Sequence, residues 1–149
     1  MTPLERARRS AKAMWANDIA SQTMGMRIDE VAEGRAVLSM EVQAHHINGH
    51  GTCHGGVMFT LADSASAFAC NSYNAVTVGQ ECQMTYLAPA HVGDRLTATA
   101  IEQARNGRSG VYDVTVWVKD SKDQITEIDV DDFVLDTKKP SVSLKKPES

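Results

Sequence analysis

The 149-residue sequence holds no long apolar run. Nothing in it approaches the about 18 apolar residues of a membrane span, and its start lacks an apolar stretch followed by a small-residue cleavage site. Neither membrane insertion nor secretion is expected, and the sequence reads as that of a cytoplasmic protein. Cysteine is scarce: Cys53, Cys70 and Cys82 are odd in number, widely spaced and without a C-x-x-C pair, which argues against a disulfide framework and suits reduced thiols. Basic residues are outnumbered, with 15 Lys and Arg against 19 Asp and Glu, a formal charge of −4 and a pI near 5.7. A nucleic-acid partner, which needs a concentrated basic face, is therefore not expected, and any anionic ligand must be met by a local cationic cluster. Internal repeats and linker-like stretches are missing too. One domain is expected over residues 1–136, with the Lys-, Pro- and Ser-rich residues 137–149 read as a flexible tail.

What is present is ordered along the chain. Thr2, Pro3 and Glu5 read as helix cap, first helical residue and capping-box partner, and Leu4, Ala7, Ala11, Met14 and Trp15 follow at helical spacing. The opposite side of that helix carries Arg6, Arg9 and Lys12, read as a solvated face. From Met26 the apolar period changes to two, and Ala36, Leu38, Met40 and Val42 form the inward set of a hairpin. Residues 48–56, NGHGTCHGG, put four glycines into nine positions, so a loop with close backbone approach is expected there. From Gly55 to Tyr73 the chain is apolar on nearly every side, which predicts a long buried helix. Three more alternating runs follow at 76–87, 95–102 and 111–118, with an Asn106-Gly107 turn signal, and a last run spans 125–135. The pattern predicts an α+β architecture: an N-terminal helix, then a long central helix wrapped by a curved antiparallel sheet of five to six strands.

Two features of the central helix ask for a chemical explanation. Asp63 is the sole charged side chain between Gly55 and Tyr73. A carboxylate buried in such a helix costs several kcal/mol unless it is hydrogen-bonded, for instance by Ser66 or Thr60, faces a polar interface, or is put to chemical use. The Gly55-Gly56 pair opens the same helix, where unpaired N–H groups and the positive dipole end favour an oxyanion, although a glycine pair also suits a tight turn. Eight residues of helix rise roughly 12 Å, too far for Asp63 and the Gly55 amide to act on one carbonyl group. If both serve one reaction, two chains must place Asp63 of one opposite Gly55 of the other across a two-fold axis. A homodimer with two composite sites is therefore expected.

The stretch NGHGTCHGGVMFTLAD, residues 48–63, closely resembles the hotdog-fold acyl-CoA thioesterases of the phenylacetic-acid degradation (PaaI) type. The similarity extends through Ala69-Cys-Asn-Ser, Tyr86-Leu-Ala-Pro-Ala, Gly93-Asp94 and Gly110-Val-Tyr-Asp-Val, and covers residues 15–118. It implies a helix wrapped by an antiparallel sheet, homodimers commonly paired into homotetramers, no cofactor, and hydrolysis of acyl-CoA thioesters, typically aromatic ones such as hydroxyphenylacetyl-CoA. Carried across, the catalytic carboxylate falls on Asp63 and the oxyanion amide on Gly55, with Gly56 beside it in contact with substrate. Asn48 falls to orienting water or the carbonyl, and His54 to shaping the loop. The carboxylate of such a site acts either as base or as nucleophile, and the preorganised N–H is worth roughly 2.7–4 kcal/mol. The resemblance also places Arg105 and Arg108, flanking the Asn106-Gly107 turn, near the CoA nucleotide. Pocket walls are expected from Met58, Phe59, Tyr73 and Met84. The last run departs from the family pattern: Glu127, Asp129, Asp131 and Asp132 put four carboxylates into six positions, poor strand chemistry.

Two other readings compete. His45, His46, His50, Cys53 and His54 could hold a metal, but no ligand set with tetrahedral spacing is complete and no metal is expected. The same fold also hosts proteins that bind acyl-CoA without hydrolysis or that hydrate an enoyl group.

Overall fold

The computed structural model describes residues 1–140, with side chains described as far as Glu127. Helix α1 spans Pro3–Asn17 and is capped as its sequence dictates: Thr2 Oγ1 accepts the Glu5 amide and the Glu5 carboxylate accepts the Thr2 amide. Its inward face is Ala7, Ser10 and Ala11, whereas Leu4 stays 41% exposed. A short helix α2, Ile19–Thr23, starts on Asp18, whose carboxylate caps Ser21.

Strands β1 (Arg27–Ala32) and β2 (Arg35–Glu41) form the expected hairpin, and Ala36, Leu38, Met40 and Val42 are all buried. The central helix α3 covers Gly55–Cys70 and is followed by a 3-10 turn at Asn71–Tyr73. After it come β3 (Ala75–Cys82), β4 (Arg95–Asn106), β5 (Ser109–Lys119) and β6 (Ile125–Pro140). The β4–β5 turn works because Gly107 adopts φ 60°, a left-handed value that favours glycine.

The six strands make one antiparallel sheet in the order β1-β2-β4-β5-β6-β3. Helix α3 contacts every strand, so the sheet wraps it, the hotdog arrangement. Met58, Leu61, Ala62, Ala65 and Phe68 of the helix share one core with Leu38, Leu96, Ala98, Val114 and Val116. No helix of the described residues is long and apolar enough to cross a membrane.

Two expectations of strand length change. Strand β3 stops at Cys82 instead of running to Leu87, because the following chain is drawn away to the loop before α3. The acidic last run does form a strand, supported by β5 on one side and β3 on the other. Its Ile128 and Val130 pair with Val116 and Val114, and Glu127 and Asp129 with Trp117 and Thr115, while Asp131 and Asp132 fall at a register shift between the two strands. That strand also runs on to Pro140, paired with Ala75, past the tail boundary at 137; the rest of the expected tail, 141–149, lies outside the described residues.

Candidate active site

The glycine-rich loop ends at His54, which caps α3. Its Nδ1 accepts the Gly56 amide at 2.9 Å, and its carbonyl oxygen takes the Val57 amide at 2.9 Å and the Met58 amide at 3.4 Å. An accepting Nδ1 puts the ring proton of the neutral imidazole on Nε2. Of the amides opening this helix, Gly55 N–H alone has no partner among the described residues. The oxyanion donor expected at Gly55 is therefore free, whereas the amide of Gly56, also expected to meet substrate, is held by its neighbour.

Gly55 borders a surface cavity of about 310 Å³. Asn48, Thr52 and Met58 form one side of it, and the segment Tyr86 to Pro89 forms the other. The side-chain oxygen of Asn48 is consumed inside the loop, accepting from His50 N at 2.9 Å and Thr52 N at 3.2 Å. Its Nδ2 group has no partner among the described residues, and since Asn48 lines the cavity this donor is available for orienting a carbonyl. Cys53 also lines the cavity, yet its thiol is buried and pushed up to about 11 by desolvation, then by Asp94, so it stays protonated at neutral pH.

Tyr86, which has no role in the sequence reading, also lines this cavity. Tyr86 donates its hydroxyl to the Gly55 carbonyl oxygen at 2.9 Å, and its Cζ lies 3.0 Å from where a Cβ on Gly55 would be. A side chain at position 55 would meet this ring, a physical reason for glycine there. Of the four expected pocket walls, Met58 alone borders this cavity. Phe59 and Met84 pack against the core cluster, and Tyr73 is held beyond the end of α3 by Glu102, 2.8 Å from its hydroxyl.

Asp63 departs from its expected environment. In the single chain it is exposed, on a face of α3 that neither the sheet nor helices α1 and α2 cover. Gly56, Thr60, Asp63 and Ala67, at helical spacing, trace the uncovered face. Neither hydroxyl considered as a partner reaches the carboxylate: Ser66 Oγ donates to the Asp63 backbone oxygen and Thr60 Oγ1 to the Gly56 carbonyl. Protein atoms around Asp63 still displace enough water to raise its carboxyl above the ordinary value, and the carboxylate of Asp18 adds to the shift. Asp18 is tied to the same spot: its Oδ2 accepts from Ser21 Oγ at 2.7 Å, which lies 2.8 Å from Ser64 Oγ, next to Asp63 in the chain.

Neither Arg105 nor Arg108 borders the Gly55 cavity. Arg105 lies over Tyr73, its Cζ 3.7 Å from the ring centroid, with Nε 3.4 Å from Glu102. Of the histidine cluster, His46 is buried with Nδ1 accepting the Gln43 amide and with its pKa lowered by desolvation, then by His45. No group of three or more metal-ligating side chains converges among the described residues.

Comparison with known proteins bears on this geometry. Residues 50–125 match the model of the thioesterase superfamily. The chain is 42% identical to the Escherichia coli acyl-coenzyme A thioesterase PaaI over 111 residues, 74% of this chain and 79% of that one. It is 37% identical over 71 residues to the human acyl-coenzyme A thioesterase 13, spanning 46% of this chain and 51% of the relative. The solved structure of the E. coli PaaI protein from the phenylacetic acid degradation operon superposes with a TM-score of 0.87 at 34% identity, covering 94% of this chain and 99% of that one.

Proposed function

From the fact that this chain belongs to the thioesterase superfamily, we infer that it hydrolyses acyl-CoA thioesters to the free acid and CoA, at a site shared between two copies. It is an acyl-CoA thioesterase, and its acyl group is aromatic, of the hydroxyphenylacetyl kind, a reading supported by likeness to a protein of a phenylacetic acid degradation operon.

The observation that carries the reading is the free Gly55 N–H at the positive end of α3, beside a cavity large enough for a small acyl group. A thioester carbonyl oxygen that accepts this N–H gains most when it becomes an oxyanion, so the donor favours the transition state over the substrate. Asn48 Nδ2 supplies a second donor.

The carboxylate must come from elsewhere, since Asp63 stands roughly 12 Å along the same helix. A second chain supplies it. Two features of the single chain support that pairing: the uncovered face of α3 that carries Asp63, and strand β3, a sheet edge whose Val76 and Val78 are 40% and 43% exposed. Such edges are covered in stable proteins, and pairing β3 with its counterpart across a two-fold axis brings the open faces of two α3 helices together. Asp63 then either activates water or attacks the carbonyl carbon itself. Its desolvation deepens in the dimer, which makes the carboxylate a stronger base than it is in water.

The CoA phosphates fall to Arg105 and Arg108 on the exposed β4–β5 turn. The Arg105–Glu102 contact is a partly exposed ion pair of little worth, so a phosphate can displace it, and the planar guanidinium suits phosphate geometry.

A thiol-release assay over a panel of CoA esters tests the function. Turnover of arylacetyl esters faster than straight-chain ones supports the full reading; equal rates remove the aromatic assignment, and no release from any ester removes hydrolysis.

A further inference from the structure

The segment 83–94 has neither helix nor strand, yet it is fixed to the loop before α3 at two points. Cys53 N–H donates to Ala90 O at 2.8 Å, and Tyr86 Oη donates to Gly55 O at 2.9 Å. Leu87, Ala88 and Pro89 hang between these tethers and form one wall of the cavity. Both tethers end on the short strip Cys53 to Gly55, the strip that presents the free amide.

Tyr86 is 51% exposed, so burial of its ring does not by itself account for its position. Fixing an exposed aromatic side chain costs rotamer entropy, and what it gains here is one hydrogen bond and a ring position that the missing side chain of Gly55 leaves open. A carbonyl in the first turn of a helix ordinarily serves the amide four residues on. Gly55 O takes a second donor from outside the helix, which restrains the Gly55–Gly56 peptide; the Gly55 N–H lies in the preceding, planar His54–Gly55 peptide, whose oxygen is held by the Val57 and Met58 amides, so Tyr86 restrains the second of the two peptides that meet at the Gly55 Cα.

We propose that Tyr86 is a positioning residue for the thioester carbonyl: its hydroxyl and ring fix the second of the two peptides at the Gly55 Cα, and so couple the oxyanion amide to the wall at Leu87–Pro89. The inference rests on the reading of Gly55 as the oxyanion donor. Partial burial raises the Tyr86 phenol above its ordinary value, so the hydroxyl keeps its donor proton at neutral pH.

Tyr86→Phe keeps the ring and removes the donor; Tyr86→Ala removes both. With an ester that the unmodified enzyme turns over, Tyr86→Phe is expected to lower kcat roughly three- to tenfold, the worth of one neutral hydrogen bond, with KM within about twofold and an unchanged melting temperature. Tyr86→Ala lowers kcat further and also raises KM, because the wall is lost. In parallel, the carbonyl carbon resonance of Gly55 in isotopically labelled protein moves in Tyr86→Phe as its acceptor bond disappears. Unchanged kcat in Tyr86→Phe, or an unmoved Gly55 resonance, overturns the proposal. If the unmodified protein cleaves no thioester, it is the function that fails, and the resonance alone then decides whether Tyr86 holds Gly55.

Discussion

His54 Nδ1 and the Gly56 amide lie 2.9 Å apart, and this one hydrogen bond leaves Gly55 as the single open donor at the start of α3. A histidine in this place acts as a helix cap, a task usually given to Ser, Thr, Asn or Asp. His54→Ala is expected to lower stability by about 1 kcal/mol and to release the Gly56 amide, whereas His54→Asn recovers most of the loss. Denaturant melts of the three proteins measure this. Equal stability of His54→Ala and the unmodified protein would show that the cap contributes nothing.

How much of this was legible in the sequence varies with the range of the interaction. Thr2, Pro3 and Glu5 fixed the start of α1 because capping is local, and Ala36, Leu38, Met40 and Val42 declared their inward face by period alone. The NGHGTCHGG loop signalled backbone approach, and Gly55 does present a free amide there. Tyr86 was not legible, since its contact joins residues 31 apart along the chain. The only local hint was the approach to Pro89, where a strand reading weakens. Asp63 was legible only in part: the apolar helix reads as buried, whereas the single chain leaves open the face of α3 that carries Asp63. Arg105 could not be assigned from spacing, because its stacking on Tyr73 depends on where α3 ends.

The raised pKa of Asp63 gives a pH dependence with a definite sign. Desolvation, then the charge of Asp18, disfavours the ionised form, so the acid limb of kcat/KM is expected above the ordinary carboxylate range. Asp18→Asn, which removes the second cause, moves that limb toward lower pH. A limb that stays in place in Asp18→Asn separates the two carboxylates.

Stability follows the same linkage. In the folded chain Asp63 holds its proton to higher pH than in the unfolded chain, so its contribution falls as pH rises through that window, and the charged form is a cost at neutral pH. Asp63→Asn is therefore expected to melt no lower than the unmodified protein at pH 7 while kcat falls roughly a hundredfold or more. A fall of less than about tenfold takes the carboxylate out of the mechanism.

Cys53 lies on the cavity with a thiol pushed up to about 11, which argues against its acting as nucleophile. Cys53→Ala is expected to keep kcat within roughly threefold, the loss reflecting cavity packing alone. Inactivation by that substitution would transfer the nucleophilic role from Asp63 to sulfur.

The shared site is tested most directly by co-expressing two inactive chains, Asp63→Ala and Gly55→Pro, and assaying the purified mixture. Random pairing makes about half of the dimers mixed, each with one intact site, so about a quarter of the unmodified activity is expected to return. Activity no greater than that of either inactive parent, with mixed dimers shown to be present, contradicts a site built from Asp63 of one chain and Gly55 of another.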